Sequence, residues 1–447
     1  MISVVQYMLN EMRQMLRSPA FQYAGALTLA QYAETGLGFL TTVIAARILG
    51  AKGYGQATLI LAFPSLLLSL GSFKSIVVST RYLAGFRATE KMEQLKAIAK
   101  LGYIIDVSAF LSVFLLVLLT GSWVAEGIYE ASWMFLPMVL YAASFPFLAF
   151  RGNSFAILTA FEEFHRLSVL YILDKGMRLF LVVMLLLAGY GVSGVVLGMA
   201  LGNVLIGMVS LGVATSFLVQ RGVGAWWKGS LKEVAHLRRE LFSFFGWNYL
   251  MVTLAGALTQ VPVMLLGRIQ GPEEAGFFRL ALSLMAFSSY PANAAGRVAY
   301  PRLSGRWAHG ERGSLKASIK RWMLRGGVPL SLLIILIIPL IPFALPLIFG
   351  EEYRPMVAGV QVLFLATAVS ALIFWLNSYY YATGQVATLV KGFLIYTALV
   401  LALGWLAIPR WGFLGIAVVF AVGKALFSIT MAGRVMGSTS GILKTGP

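Results

Sequence analysis

The chain has 447 residues, of which 59% are hydrophobic and only 12% charged, with a net charge of +18 and no cysteine. Soluble domains hold about 45–50% apolar and about 25% charged residues, so a soluble globular fold is excluded. The lack of cysteine excludes disulfides, thiolate catalysis and cysteine-based metal sites.

The start, Met1–Ala20, carries Glu11, Arg13 and Arg17 among short apolar patches, which is unlike a cleavable signal peptide. Twelve apolar stretches of about twenty residues then follow one another, each long enough to cross a bilayer. They predict spans at roughly 20–48, 55–80, 101–121, 131–150, 168–190, 192–219, 241–267, 275–300, 326–349, 357–383, 388–408 and 412–433. The fold class is therefore an all-α polytopic membrane protein. In the first span, Gln31, Glu34, Thr35 and Thr42 share one helical face. Glu34 lies near mid-membrane and suits either a counter-ion for a cavity arginine or an ion-coupling carboxylate. Asp174 and Arg178 in the fifth span stand at i,i+4 and are expected to neutralise each other. Asp106 and Lys424 are further charges inside spans. Pro64, Pro137, Pro146, Pro291, Pro329, Pro339, Pro342 and Pro346 interrupt spans and are expected to break or flex them.

Arg221–Glu240 is the longest polar connection and divides residues 1–220 from 241–447. Its Trp226, Trp227 and Lys228 suit a membrane interface, and the segment is expected to be a partly amphipathic helix. In the seventh span Thr253, Gly256, Thr259 and Gln260 share a face. The eighth span carries the sharpest pattern: Arg279, Ser283, Ala286, Tyr290, Asn293 and Arg297, at successive spacings of 4, 3, 4, 3 and 4, lie on one face. Arginine within a span costs roughly 2.5–3.5 kcal/mol on insertion scales, so that face should meet protein or water rather than lipid.

The basic residues are unevenly distributed. Arg81, Arg87, Lys91, Lys96 and Lys100 share one connection and Arg302–Arg325 forms another, while the alternate connections hold little beyond Arg47, Lys52, Arg268, Arg354 and Arg410. This is the positive-inside pattern. It predicts both termini in the cytoplasm of a multi-pass protein of the inner (plasma) membrane, and it accounts for the basic charge without nucleic acid. His165, His236 and His309 lie in separate loops, so neither a metal nor a cofactor is expected.

The chain also repeats itself. Arg47-Ile48-Leu49-Gly50 with Gly55 recurs as Arg268-Ile269-Gln270-Gly271 with Gly276, an offset of 221 residues. The same offset pairs Gly191, Gly194 and Gly202 with Gly412, Gly415 and Gly423, and Asn153-Ser154 matches Asn377-Ser378 at 224. Two six-helix halves in parallel orientation should enclose a cavity on an axis along the membrane normal. Moved back by 221, the arginine-bearing stripe falls on Thr58, Ala62, Ser65, Ser69, Ser72 and Ile76, a face that is small and mostly hydroxylated. Both halves thus offer a wettable wall, and only the second arms it with arginine. The expected cavity residues are Arg279, Arg297, Asn293, Tyr290, Ser283, Glu34, Gln31, Ser65, Ser69 and Ser72.

Guanidinium favours an anionic cargo such as a phosphate. Arg279 and Arg297 are about 27 Å apart along the helix, so one phosphate cannot touch both. Arg297 is expected to receive an anionic head group at the cytoplasmic mouth, and Arg279 to meet it in the opposite state. The chain contains no GK[ST] phosphate loop, so the driving force is expected to be an H⁺ or Na⁺ gradient, the membrane potential or the substrate's own gradient.

Ala46-Arg47-Ile48-Leu49-Gly50 with Tyr54-Gly55 resembles the junction after the first span of polysaccharide transporters and O-antigen flippases. Gly276-Phe277-Phe278-Arg279-Leu280-Ala281, Pro301 with Ser304, Phe349-Gly350 with Tyr353, and Ile408-Pro409 with Gly412 and Gly415 resemble later landmarks of that family. The resemblance implies the bilobed fold of the multidrug and oligosaccharidyl-lipid exporters. It also implies a polyprenyl-pyrophosphate-linked oligosaccharide as cargo, with glycan polymerase machinery as a partner. Arg279 and Arg297 belong to no shared motif and rest on their spacing. The fourteen spans of the lipid II flippases in the same superfamily are not found. A cation-coupled drug exporter of the same fold is the alternative, and it would need free membrane carboxylates. A membrane polymerase or ligase would need catalytic groups in a sizeable outer loop, and these loops are short.

Overall fold

A computed structural model describes residues 19–71 and 75–437. Every regular element among them is helical: α1 Pro19–Gly71, α2 Ser75–Ala88, α3 Met92–Trp123, α4 Phe135–Ala142, α5 Phe145–Ala160, α6 Phe164–Leu187, α7 Gly191–Gln220, α8 Arg238–Ile269, α9 Pro272–Ala308, α10 Arg312–Trp322, α11 Val328–Ile337, α12 Ile341–Phe349, α13 Val357–Leu372, α14 Leu376–Ala382 and α15 Val386–Gly437. In hydrocarbon, helix is the form that satisfies every backbone N–H and C=O within one segment. Eight helical segments among the described residues are long and apolar enough to cross a membrane.

Two of those segments are much longer than a bilayer requires. Leu27–Gly71 has 45 residues and Val386–Gly437 has 52. Each folds back at a glycine. Gly50 takes φ 67° and ψ 178°, and Gly412 takes φ 52° and ψ −135°, conformations a side chain resists. A carboxylate caps each restart: the Ala51 amide donates to Glu352 Oε2 at 2.9 Å, and the Phe413 amide donates to Glu274. Gly271 and Gly191, which stand 221 residues from Gly50 and Gly412, also have positive φ, at 101° and 52°. The prolines meet the expectation in part: the fourth predicted span is interrupted just before Pro146, and the ninth at Pro339 and Pro342. Pro64 and Pro291 lie inside continuous helices, whereas Pro146, Pro329 and Pro342 sit in first turns, where a missing N–H costs nothing.

The segment between α7 and α8 also corrects the sequence reading. It holds two short 3₁₀ turns, Trp226–Lys228 and Leu231–Leu237, in place of an amphipathic helix. Gly222 and Gly224 have φ of 77° and 73°, which ends any regular helix there. Trp226 is drawn down onto α3, its ring 4.6 Å from that of Tyr103 and its Nε1 donating to Thr215 Oγ1 at 3.1 Å; Trp227 stays exposed.

The core determines the shape. Around Gly50 and Gly271, one continuous apolar cluster joins both parts of the chain, with Ala46, Tyr54 and Leu59 beside Phe277, Tyr353 and Phe413. Towards the other end the core divides. One cluster contains Leu83, Tyr103, Phe155 and Phe217, and a separate one contains Leu303, Trp375, Tyr380 and Met431. The two parts are therefore joined at one end and parted at the other.

Contacts at the joined end run in both directions. Arg47 donates to the carbonyls of Leu347 and Ile348 at 3.0 and 3.2 Å, and Arg268 pairs with Glu130. Between them Gly55 meets Gly276. A Cβ on Gly55 would fall 1.8 Å from the Pro272 carbonyl oxygen, and one on Gly276 would fall 3.0 Å from the Gly55 Cα. No side chain fits at that crossing.

Candidate functional site

The polar stripe of α9 lies along the first limb of α1. At the joined end, Arg279 and Ser283 line a small cavity of about 80 Å³ with Thr42, Tyr54, Thr58 and Ser65 of α1 and Gln260 of α8. Farther along, Phe287 stacks on Phe39 with centroids 5.0 Å apart, and Tyr290 meets Tyr32 edge-on at 4.2 Å. At the parted end Arg297 is exposed and its guanidinium donates to the Gln31 side-chain oxygen, while Asn293, one turn before it, is exposed as well. Arg279, Ser283 and Ser65 are thus brought together at one end, and Arg297, Asn293, Tyr290 and Gln31 at the other. The aromatic pairs separate the two polar groups.

One expected cavity residue, Ser69, lies elsewhere. Ser69 sits where α8 crosses α1: a Cβ on Gly256 would come within 2.0 Å of its Oγ, and its hydroxyl donates to Leu66 O at 2.6 Å. Its small size serves helix packing, a use of serine that helix-face periodicity cannot distinguish from pore lining. Ser72, also expected in the cavity, lies outside the described residues.

Glu34 faces a second recess and not the α9 arginines. Three residues of helix turn 300°, so Glu34 stands about 60° from Gln31, enough to look towards α6 instead of α9. There it lies 3.6 Å from Arg151, and the recess of about 350 Å³ is also lined by Asp106, Asp174, Lys175 and Arg178. Asp174 is the hub. Its nearly buried carboxylate pairs with Arg178 at 2.7 Å and with Arg151 at 3.0 Å, while the Arg151 guanidinium lies 4.3 Å from the Phe155 ring centre. The expected Asp174–Arg178 pair is present, with Arg151 as an added partner. Arg151 escaped the sequence reading because it stands one residue past the fourth predicted span, where it passes for a flanking charge. The cations of the recess nearly balance its acids, so it can hold little net charge. No cluster of three or more His, Asp or Glu that could hold a metal ion occurs among the described residues.

Residues 21–307 match the polysaccharide biosynthesis protein family. The chain belongs to that family. The fold of this polysaccharide biosynthesis protein is similar to that of an inward-facing multidrug resistance MATE family transporter of the MOP superfamily. The TM-score is 0.75 at 12% identity, over 92% of this chain and 96% of that one. It is also similar to the lipid II flippase MurJ in an inward closed conformation (TM-score 0.69, 12% identity, 92% and 87% covered). An outward-facing MATE family transporter superposes at TM-score 0.66 with 13% identity, over 96% and 99% of the two chains. The chain matches no curated protein sequence.

Proposed function

We propose that this protein is a flippase, not an enzyme, that carries a polyprenyl-(pyro)phosphate-linked oligosaccharide from the cytoplasmic to the outer leaflet by alternating access, for O-antigen or related surface polysaccharide synthesis. The carrying observation is the placement of two arginines on one α9 face, with Arg297 exposed where the halves part and Arg279 enclosed where they join. A cationic group at each end of one wall suits a phosphate that is admitted at one end and released at the other.

In this reading residues 1–220 and 241–447 are six-helix halves linked by 221–240, with both termini in the cytoplasm of the inner membrane. Several observations support the duplication. Gly50 and Gly191 share their positive φ with Gly271 and Gly412, and so do Glu90, Glu130 and Glu162 with Gly310, Gly350 and Gly384, at offsets of 220 to 222 residues. Twelve spans follow if the two folded-back helices count twice and the charged helices α6 and α9 are included. The joined end is then external and the structure is open to the cytoplasm. Pairing of Asp174 with two arginines weighs against the drug-exporter alternative, which needs free carboxylates. Any coupling ion would be H⁺ or Na⁺, and Glu34, with only a 3.6 Å contact to Arg151, is the acid to test.

The test is flipping of a fluorescent lipid-linked oligosaccharide in proteoliposomes. Arg297→Ala is expected to slow uptake from the cytoplasmic face, and Arg279→Ala to slow turnover after uptake. Wild-type rates for both variants in stably inserted protein would overturn the proposal.

A further inference from the structure

The two limbs of α15 enclose a groove that the transport reading does not use. Its wall is apolar, with exposed Ile395, Leu399 and Leu426, and one end carries Lys391 and Arg434. Lys391 precedes the Gly412 break by 21 residues and Arg434 follows it by 22, so the two cations stand level, about 32 Å from the break. Close packing of the limbs fixes that register: a Cβ on Gly392 would fall 2.9 Å from Met431 Sδ. No acidic residue lines the groove, and neither cation has an acidic partner among the described residues. Below them the ring of Tyr396, which is 5% exposed and stacked on Phe427, forms part of the groove wall.

These features form a sequence in depth: two cations, then an apolar channel past the Tyr396 ring, about 7.5 Å further in. We propose that this groove binds one anionic diacyl phospholipid of the surrounding membrane. Its phosphate lies between Lys391 and Arg434, and an acyl chain runs along Ile395, Leu399 and Leu426. A second copy of this chain has no phosphate to place between the two cations. The proposed topology decides which leaflet supplies the lipid; the binding does not depend on it.

The experiment is native mass spectrometry of the full-length protein titrated with phosphatidylglycerol, phosphatidylcholine and a polyprenyl phosphate. Phosphatidylglycerol is expected to bind in preference to phosphatidylcholine. Each lost cation should weaken it about fivefold, so Lys391→Gln with Arg434→Gln weakens it about 25-fold, while Lys391→Arg with Arg434→Lys retains it. Ile395→Trp with Leu426→Trp, which fills the channel but keeps both charges, should abolish binding. Unchanged phosphatidylglycerol binding in the doubly neutralised or the filled variant would overturn the proposal. So would tighter binding of the polyprenyl phosphate, or a dimer that the filled variant dissolves.

Discussion

The Gly55–Gly276 crossing gives the sharpest test of how the joined end holds. An alanine methyl at Gly55 would lie 1.8 Å from a backbone carbonyl oxygen of Pro272, and ordinary contact begins near 3.4 Å, so the helices must separate by about 1.6 Å. Neither atom is the end of a flexible side chain, and rotamer change cannot relieve the clash. Overpacking of this kind costs about 1–3 kcal/mol, which lowers the ratio of closed to open molecules about 5- to 150-fold. At Gly276 the same methyl would lie 3.0–3.2 Å from Gly55 and Ala51, a deficit of a few tenths of an ångström. Gly276→Ala should therefore shift the equilibrium several-fold less. The chain has no cysteine, so Lys52→Cys with Glu351→Cys adds a unique pair of exposed labels flanking the Ala51–Glu352 contact. Spin-label distances between them should lengthen and broaden in Gly55→Ala, and cross-linking with a short reagent should fall about tenfold. A wild-type distance distribution in Gly55→Ala, or an equal change in Gly276→Ala, would refute the reasoning.

Asp174→Asn leaves Arg178 and Arg151 without their shared counter-charge in a nearly buried setting, so the melting temperature in detergent should drop by the equivalent of about 3–5 kcal/mol. Adding Arg178→Gln should recover part of the loss. Trp226→Ala removes the stack on Tyr103 and the bond to Thr215, and should raise trypsin cleavage within Arg221–Lys232 without changing the melting temperature by more than a few degrees. Glu352→Gln weakens the cap on the second limb of α1 and should cost about 1 kcal/mol, read as a lower transition midpoint; Glu352→Asp should restore part of it.

The helical class, the break after the first span and the α9 stripe were legible because each depends on spacing along one helix. The 221-residue offset makes Thr58 the repeat equivalent of Arg279, and the two line one cavity. Where several helices converge, periodicity is silent. Glu34, Arg151 and Asp174 meet from α1, α5 and α6, and no pattern within one span announces that meeting. Ser69 failed for the opposite reason, since a small polar residue looks the same at a helix crossing as at a pore. The connection between α7 and α8 was misjudged because its tryptophans were weighed above Gly222 and Gly224, whose backbone freedom decides the local path.

The apolar core is joined at one end of the molecule and divided at the other. In the proposed alternating-access cycle, leaving this state would wet the joined cluster before the divided ones could meet. The passage should therefore carry a positive activation heat capacity, and its rate should rise with temperature along a curved Eyring plot. Each divided cluster stays within its own part of the chain throughout, so its amides should exchange with deuterium at one rate in both states. The exchange that reports the motion should come from α1 and α9 around Gly55 and Gly276.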